Sequence, residues 1–168
     1  RGNTFLIKDI QGSKMYLDIK DKGISRDLAS EGVREKFSTE VLQNEVKEGD
    51  VIVDIGANIG YYTLMEARLV GPKGKVYAIE PVPQNVEMLK QNIQLNGYPN
   101  IEVSQVAIGE DNNTLPMYIS DNTNLCSMIL TDIVAPTVVD KIDVTVITLD
   151  EFLQDKKYPN LIRMDVEG

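Results

Sequence analysis

From residue 51 onward, apolar runs and amphipathic stretches alternate with a regular beat. VIVDI (51–55) is an apolar run broken by one acid, the pattern of a strand covered on both faces. A helix is predicted from about Gly60 to Val70, ended by GPKG (71–74), and KVYAIE (75–80) reads as the next strand. Pro83 suits a first helical turn, and Val86, Leu89 and Ile93 share one face of a helix that Asn96-Gly97 stops. Asn85, Asn92 and Asn96 read as the exposed face and cap of that helix, with Asn85 close enough to Glu80 to matter. IEVSQVAI (101–108) is a third strand. Strand–helix–strand–helix–strand predicts a Rossmann-like, doubly wound α/β fold with a mainly parallel sheet and right-handed crossovers.

The flanking regions follow other rhythms. TFLIK (4–8) and MYLDI (15–19) read as a strand pair with Gly12 and Ser13 in the turn, and 20–36 as loop with some helix. A further helix is predicted from Phe37-Ser38 to about Lys47, with Ser38 as N-cap and Phe37 and Leu42 as a hydrophobic staple. TLPMYIS (114–120) and KIDVTVITL (141–149) are strands able to pair as an antiparallel ribbon. Thr148 and Glu151 form a capping box for TLDEFLQ, and LIRMD (161–165) is one more buried strand. The expected organisation is one domain, with 1–36 a strand pair and lead-in and 37–168 the core.

Composition removes several chemistries. Histidine is absent, which excludes Ser-His-Asp and Cys-His nucleophile systems and most transition-metal sites; no metal is expected. The single Cys126 can form no internal disulfide. With 17 basic and 26 acidic residues the formal charge is −9, so the basic footprint of a nucleic-acid binder is missing. No apolar run approaches the ~18–20 residues of a membrane span and no signal-peptide pattern opens the chain, so a cytoplasmic location is expected.

The stretch DIGANIG (54–60) carries the chemistry. It follows the first strand of the series, at the strand end where ligands of open parallel sheets sit. Gly56 and Gly60 permit a tight turn and close approach of a ligand to the backbone, and free N–H groups of the next helix can meet a carboxylate or phosphate. Glu80 ends the next strand, 80 − 60 = 20 residues past Gly60, where an acid can accept hydrogen bonds from ribose hydroxyls. The spacing is G-x-x-x-G rather than G-x-G-x-x-G, and no P-loop lysine is present, so a pyrophosphate suits the loop less than a nucleoside with an amino-acid tail. Asp165 and Glu167, at the end of the last strand, lie beside this loop. Two other readings stay open: a nicotinamide-dependent oxidoreductase, and a non-catalytic module that binds a nucleoside cofactor.

DIGANIGYYT, IEPVPQNVEMLKQNIQLNG, VAIG, TLDEF and IRMDVEG together resemble the successive motifs of FkbM-type S-adenosylmethionine-dependent methyltransferases, from about Phe37 to Gly168. The resemblance implies a class I methyltransferase core and S-adenosylmethionine as cofactor. It sets Asp54, Gly56, Asn58 and Gly60, with Ala57, Tyr61 and Thr63, around the methionine end. Glu80 would bind the ribose, with Pro81 and Asn85 beside it, and Val106 and Ala107 would lie near the adenine. Glu40 corresponds to a glutamate near the cofactor in related sequences. Asp165 is the candidate catalytic residue, orienting the cofactor's amino group or holding an acceptor hydroxyl. The implied reaction is O-methylation of a hydroxyl on a small molecule or sugar. Members of the family continue past D-V-E-G, and this sequence opens on Arg1. A fragment of a longer protein is therefore expected, with 161–165 left as an apolar edge that self-associates or borrows a strand from the N-terminal or 114–147 region.

Overall fold

The computed structural model describes residues 5–120 and 126–166. The chain starts as a hairpin, β1 (Phe5–Ile10) and β2 (Ser13–Asp18), in which Ile10 faces Ser13. The two-residue turn is therefore Gln11-Gly12, one position earlier than the sequence indicates. Both residues have positive φ, 51° and 83°, the backbone that matches strand twist in a short hairpin. The lead-in contains a helix of two turns, α1 (Ile24–Glu31), stopped by Gly32 in the left-handed region.

Helix α2 (Lys36–Glu45) begins earlier than its sequence signals imply. Glu35 enters it in a left-handed conformation with no side-chain cap, so Ser38 sits within the helix and does not cap it. Phe37 points outward, 79% exposed, while Leu42 is buried, and the expected staple is not made.

The central sheet contains β3 (Val51–Ile55), β4 (Lys75–Ile79), β5 (Ile101–Ser104) and β9 (Leu161–Met164) in the order β5-β4-β3-β9, all parallel. Helices α3 (Tyr61–Val70) and α4 (Pro83–Asn96) make the crossovers between β3, β4 and β5. Every residue of β3 is buried, Asp54 included, as expected of a mostly apolar strand covered on both faces. Ile52 packs with Leu64 and Met65 of α3, whereas Val53, Ile55, Tyr77 and Ile79 pack around Phe152 on the opposite face.

The segment 101–108 is not one strand. Beyond Ser104 its neighbour β4 has ended, and Glu80 N donates to Ser104 O as the chain turns away. Ala107-Ile108 becomes β6, which pairs with β8 (Val138–Ile147) in a second sheet of order β6-β8-β7 with β7 (Asn113–Ser120). β7 and β8 are antiparallel, the ribbon the alternation predicts. In α5 (Leu149–Leu153), Thr148 Oγ1 accepts from Glu151 N at 3.2 Å, but the reciprocal half of the box goes elsewhere. Asn112 accepts from Thr148 N and donates to the Glu151 carboxylate.

Asn92 and Asn96 are not an exposed face. Asn92 is fully buried, accepting from Tyr16 N at 2.7 Å and donating to Ile59 O at 2.8 Å, and Asn96 accepts from Lys14 N. These side-chain amides satisfy the open edge of β2 and fix the hairpin to α4. Among the described residues β9 pairs on one side only, with β3, and neither the hairpin nor the ribbon supplies it a second strand. No described helix is long and apolar enough to cross a membrane.

Candidate functional site

The loop after β3 is tied to both neighbouring strands. Gly56 N and Ala57 N donate to Ile79 O, and Asp165 N donates to Ile55 O at 3.0 Å. Gly56 has φ 83°, and a Cβ there would stand 2.1 Å from the Asp165 carbonyl oxygen. Any side chain would therefore push β9 off the loop. Gly60 has φ 100° and would meet the Leu89 side chain of α4. The two glycines hold the loop against two different elements, which is a packing reason for each. The open space lies elsewhere, in a cleft of about 970 Å³ (open mouth included) at the C-terminal ends of the strands.

Glu80 is 4% exposed at the floor of that cleft. Its Oε2 accepts from Asn58 N at 2.8 Å, and its Oε1 accepts from Val82 N and from Asn85 Nδ2. Burial pushes this carboxyl up from its ordinary pKa, and the three donated bonds pull part of the shift back. Three donors to one carboxylate still leave acceptor capacity facing the cleft.

Of the residues singled out in the sequence, Gly56, Ala57, Asn58 and Tyr61 line the cleft from the loop side. Glu80, Pro81 and Asn85 line it beyond β4, Val106 and Ala107 beyond β5, and Asp165 beyond β9. Asp54 and Thr63 lie behind the wall, both fully buried, with Thr63 Oγ1 donating to Asp54 Oδ2 at 2.5 Å. Gly60 is outside the lining as well. Glu40 does not join the site: it stands exposed on α2, within 4.0 Å of Lys36 one turn earlier, and touches no wall of the cleft.

Sequence reasoning passed over two arginines. Arg163 donates from Nη1 to Asp54 Oδ1 and from Nη2 to Asp165 Oδ2, both at 2.8 Å, and its guanidinium lies 3.7 Å over the Tyr62 ring. It thus joins the buried acid of β3 to the acid at the cleft mouth. The available signal was a cation inside the apolar run LIRM, two positions before Asp165 and so on the same face of the strand. Arg34 comes from the lead-in before α2 and also lines the cleft. The Tyr62 hydroxyl, donating to Glu35 at 3.1 Å, is pushed up to about 12, chiefly by burial. Met117, Cys126 and Met128 of the ribbon region give the cleft an apolar side. Among the described residues no cluster of His, Cys, Asp and Glu suited to a metal occurs.

A parallel sheet ordered β5-β4-β3-β9, with a glycine loop after its first core strand and a buried acid after its second, has the architecture of class I S-adenosylmethionine-dependent methyltransferases. The methyltransferase FkbM domain matches residues 54–168, and the chain belongs to that family. An FkbM methyltransferase from Methylobacillus flagellatus KT superimposes with a TM-score of 0.50 over 74% of this chain and 28% of its own, at 20% identity, a likeness of fold. The protein-L-isoaspartate O-methyltransferase of Aeropyrum pernix is 36% identical over 70 residues, 42% of this chain. That of Ignicoccus hospitalis is 37% identical over 59 residues, 35% of this chain. The matched stretches span 26% and 28% of those relatives.

Proposed function

We propose that this chain binds S-adenosylmethionine in the cleft between the 54–60 loop, Glu80 and Asp165, and that it serves methyl transfer to a hydroxyl of a small molecule or sugar. The observation that carries the reading is Glu80: a buried carboxylate, fixed by three donors yet open to the cleft, placed to accept from two vicinal hydroxyls. When bound, the cofactor supplies an electrophilic methyl group on a sulfonium. Asp165, at the cleft mouth, would hold the acceptor hydroxyl or take its proton, which would otherwise pass to solvent.

The chain's own part is to bind and orient. Glu80 holds the ribose, and Val106 and Ala107 flank the base. Asp165 is fixed through Oδ2 by Arg163 and lines the cleft, where its carboxylate would hold an ammonium or an acceptor hydroxyl. A carboxylate is a weak base, which suffices where the leaving group is a thioether and orientation does most of the work. The acidic balance of the chain favours a small acceptor over a polyanion.

A transfer assay with labelled S-adenosylmethionine tests the reading, run against polyol and sugar acceptors, an isoaspartyl peptide and tRNA. Label in the sugar or polyol pool supports it. Label confined to peptide or to tRNA assigns a different acceptor.

A further inference from the structure

The cleft has two ends, and its cations are unevenly committed. Glu80, Val106 and Ala107 follow β4 and β5 on one side of the 54–60 loop, whereas Asp165 and Arg163 belong to β9 on the other. If the nucleoside lies toward β4 and β5, as proposed above, the amino-acid end of the cofactor falls on the β9 side. That end carries an ammonium and a carboxylate. Asp165 can take the first. The second, entering a cleft that already holds Glu80 and Asp165, is favoured by a cation there beyond what backbone N–H groups supply.

Among the described residues the cleft is lined by two cations, Arg34 and Arg163, and no lysine. Arg163 is spent: both terminal nitrogens donate at 2.8 Å to carboxylates, and its face rests on Tyr62. Arg34 is different. Its nearest acids are Glu35, 3.4 Å from Nε, and Asp27, 3.9 Å from Nη1, and neither approach has the length of a charge-assisted hydrogen bond. Its side chain is 21% exposed and lines the cleft, so the guanidinium is half-buried at the cleft wall with no close carboxylate on it.

Its backbone, by contrast, is fixed to the cofactor loop's helix. Arg34 N donates to the Tyr61 hydroxyl at 3.2 Å, and Thr39 Oγ1 donates to Arg34 O at 2.8 Å. Tyr61 and Thr39 are both buried, and Tyr61 is the first residue of α3. Glu35 reaches the Tyr62 hydroxyl, which places this segment beside Arg163, on the β9 side. A rigid backbone carrying a half-satisfied guanidinium into a cleft is the arrangement of a carboxylate fork.

We infer that Arg34, twenty residues before the stretch matched by the family, binds the α-carboxylate of the cofactor's methionyl group. The lead-in is thereby part of the site and not only a spacer between hairpin and core. The inference rests on the S-adenosylmethionine reading, and the two can fail separately.

The test uses two probes, S-adenosylhomocysteine and 5′-methylthioadenosine, the second being the same nucleoside thioether without the amino-acid end. Calorimetry is run on wild type, Arg34→Gln and Arg34→Lys, with melting curves to confirm folding. Arg34→Gln is expected to weaken S-adenosylhomocysteine about tenfold or more while 5′-methylthioadenosine stays within about twofold, and Arg34→Lys to recover part of the loss. Unchanged S-adenosylhomocysteine affinity in a folded Arg34→Gln protein overturns the inference, as does a parallel loss for both probes. If wild type binds neither probe, the cofactor reading itself fails and takes the inference with it.

Discussion

At the scale of single residues, Glu80 and Glu66 are two buried carboxyls with opposite fates. Glu80 has three donors and a cleft to face. Replacing it by Ala should weaken S-adenosylhomocysteine by about 1.5–3 kcal/mol, the value of charge-assisted hydrogen bonds lost on one side, as calorimetry will read. Glu66 on α3 is fully buried, neither of its oxygens has a hydrogen-bond partner among the described residues, and burial pushes its pKa well above the ordinary range, with Asp54 adding to the shift and Arg163 opposing it. An acid whose folded pKa is raised contributes stability that is fully present below its unfolded pKa, near 4.5, and is lost as pH rises toward the folded value. Glu66→Gln removes that loss. Its melting temperature should therefore fall less than that of wild type between pH 4.5 and 8, and a parallel pair of curves would mean that Glu66 ionises freely. Asp165→Asn, at the cleft mouth, should lower turnover far more than it lowers melting temperature. Glu80 was legible from its offset of 20 residues to Gly60, because strand-end position follows from chain length along a regular fold. Arg34 was not, because its place depends on hydrogen bonds to Tyr61 and Thr39 that no local pattern encodes.

At the scale of elements, the glycines separate two physical causes. Gly56→Ala meets both a positive φ and the Asp165 carbonyl, and should cost roughly 1–3 kcal/mol and loosen β9 from the loop. Gly97→Ala meets a positive φ of 68° with nothing near it, and should cost only about 1 kcal/mol. Denaturant titration of both variants checks the difference; equal losses would mean that the contact with Asp165 is not needed. Thr148→Ala should cost about 1 kcal/mol through the lost cap of α5. β3, β4, β9 and the two crossover helices fell within a residue or two of their sequence bounds, because a strand or helix held in the sheet has little freedom in pattern or register. The misses have other causes. Ser38 lost its capping role to a left-handed turn at Glu35, three residues upstream, whereas the split of 101–108 and the role of Asn92 were decided by partners distant in sequence, the end of β4 and the open edge of β2.

At the scale of the whole molecule, the central sheet ends in two edge strands among the described residues, β5 and β9, and the β9 edge is the more apolar surface. Ile162 and Met164 of β9, and Val166 just beyond it, are about half exposed, and Phe37 and Val41 of α2 are exposed beside the same edge. Light scattering should show concentration-dependent association of this chain that Ile162→Lys reduces, against the resistance of a −9 net charge. The hairpin is fastened to α4 by Asn92 and Asn96 and the lead-in to α3 by Tyr61, and Ile24 and Arg34, before the family-matched stretch, line the cleft. Both the glycine loop and Glu80 suit a nucleoside that carries an amino-acid tail and no pyrophosphate. Titrating S-adenosylhomocysteine and NAD separately into the wild-type chain by calorimetry measures that preference directly. One-to-one binding of S-adenosylhomocysteine with no heat from NAD is the expected result; binding of NAD alone, or of neither, would contradict it.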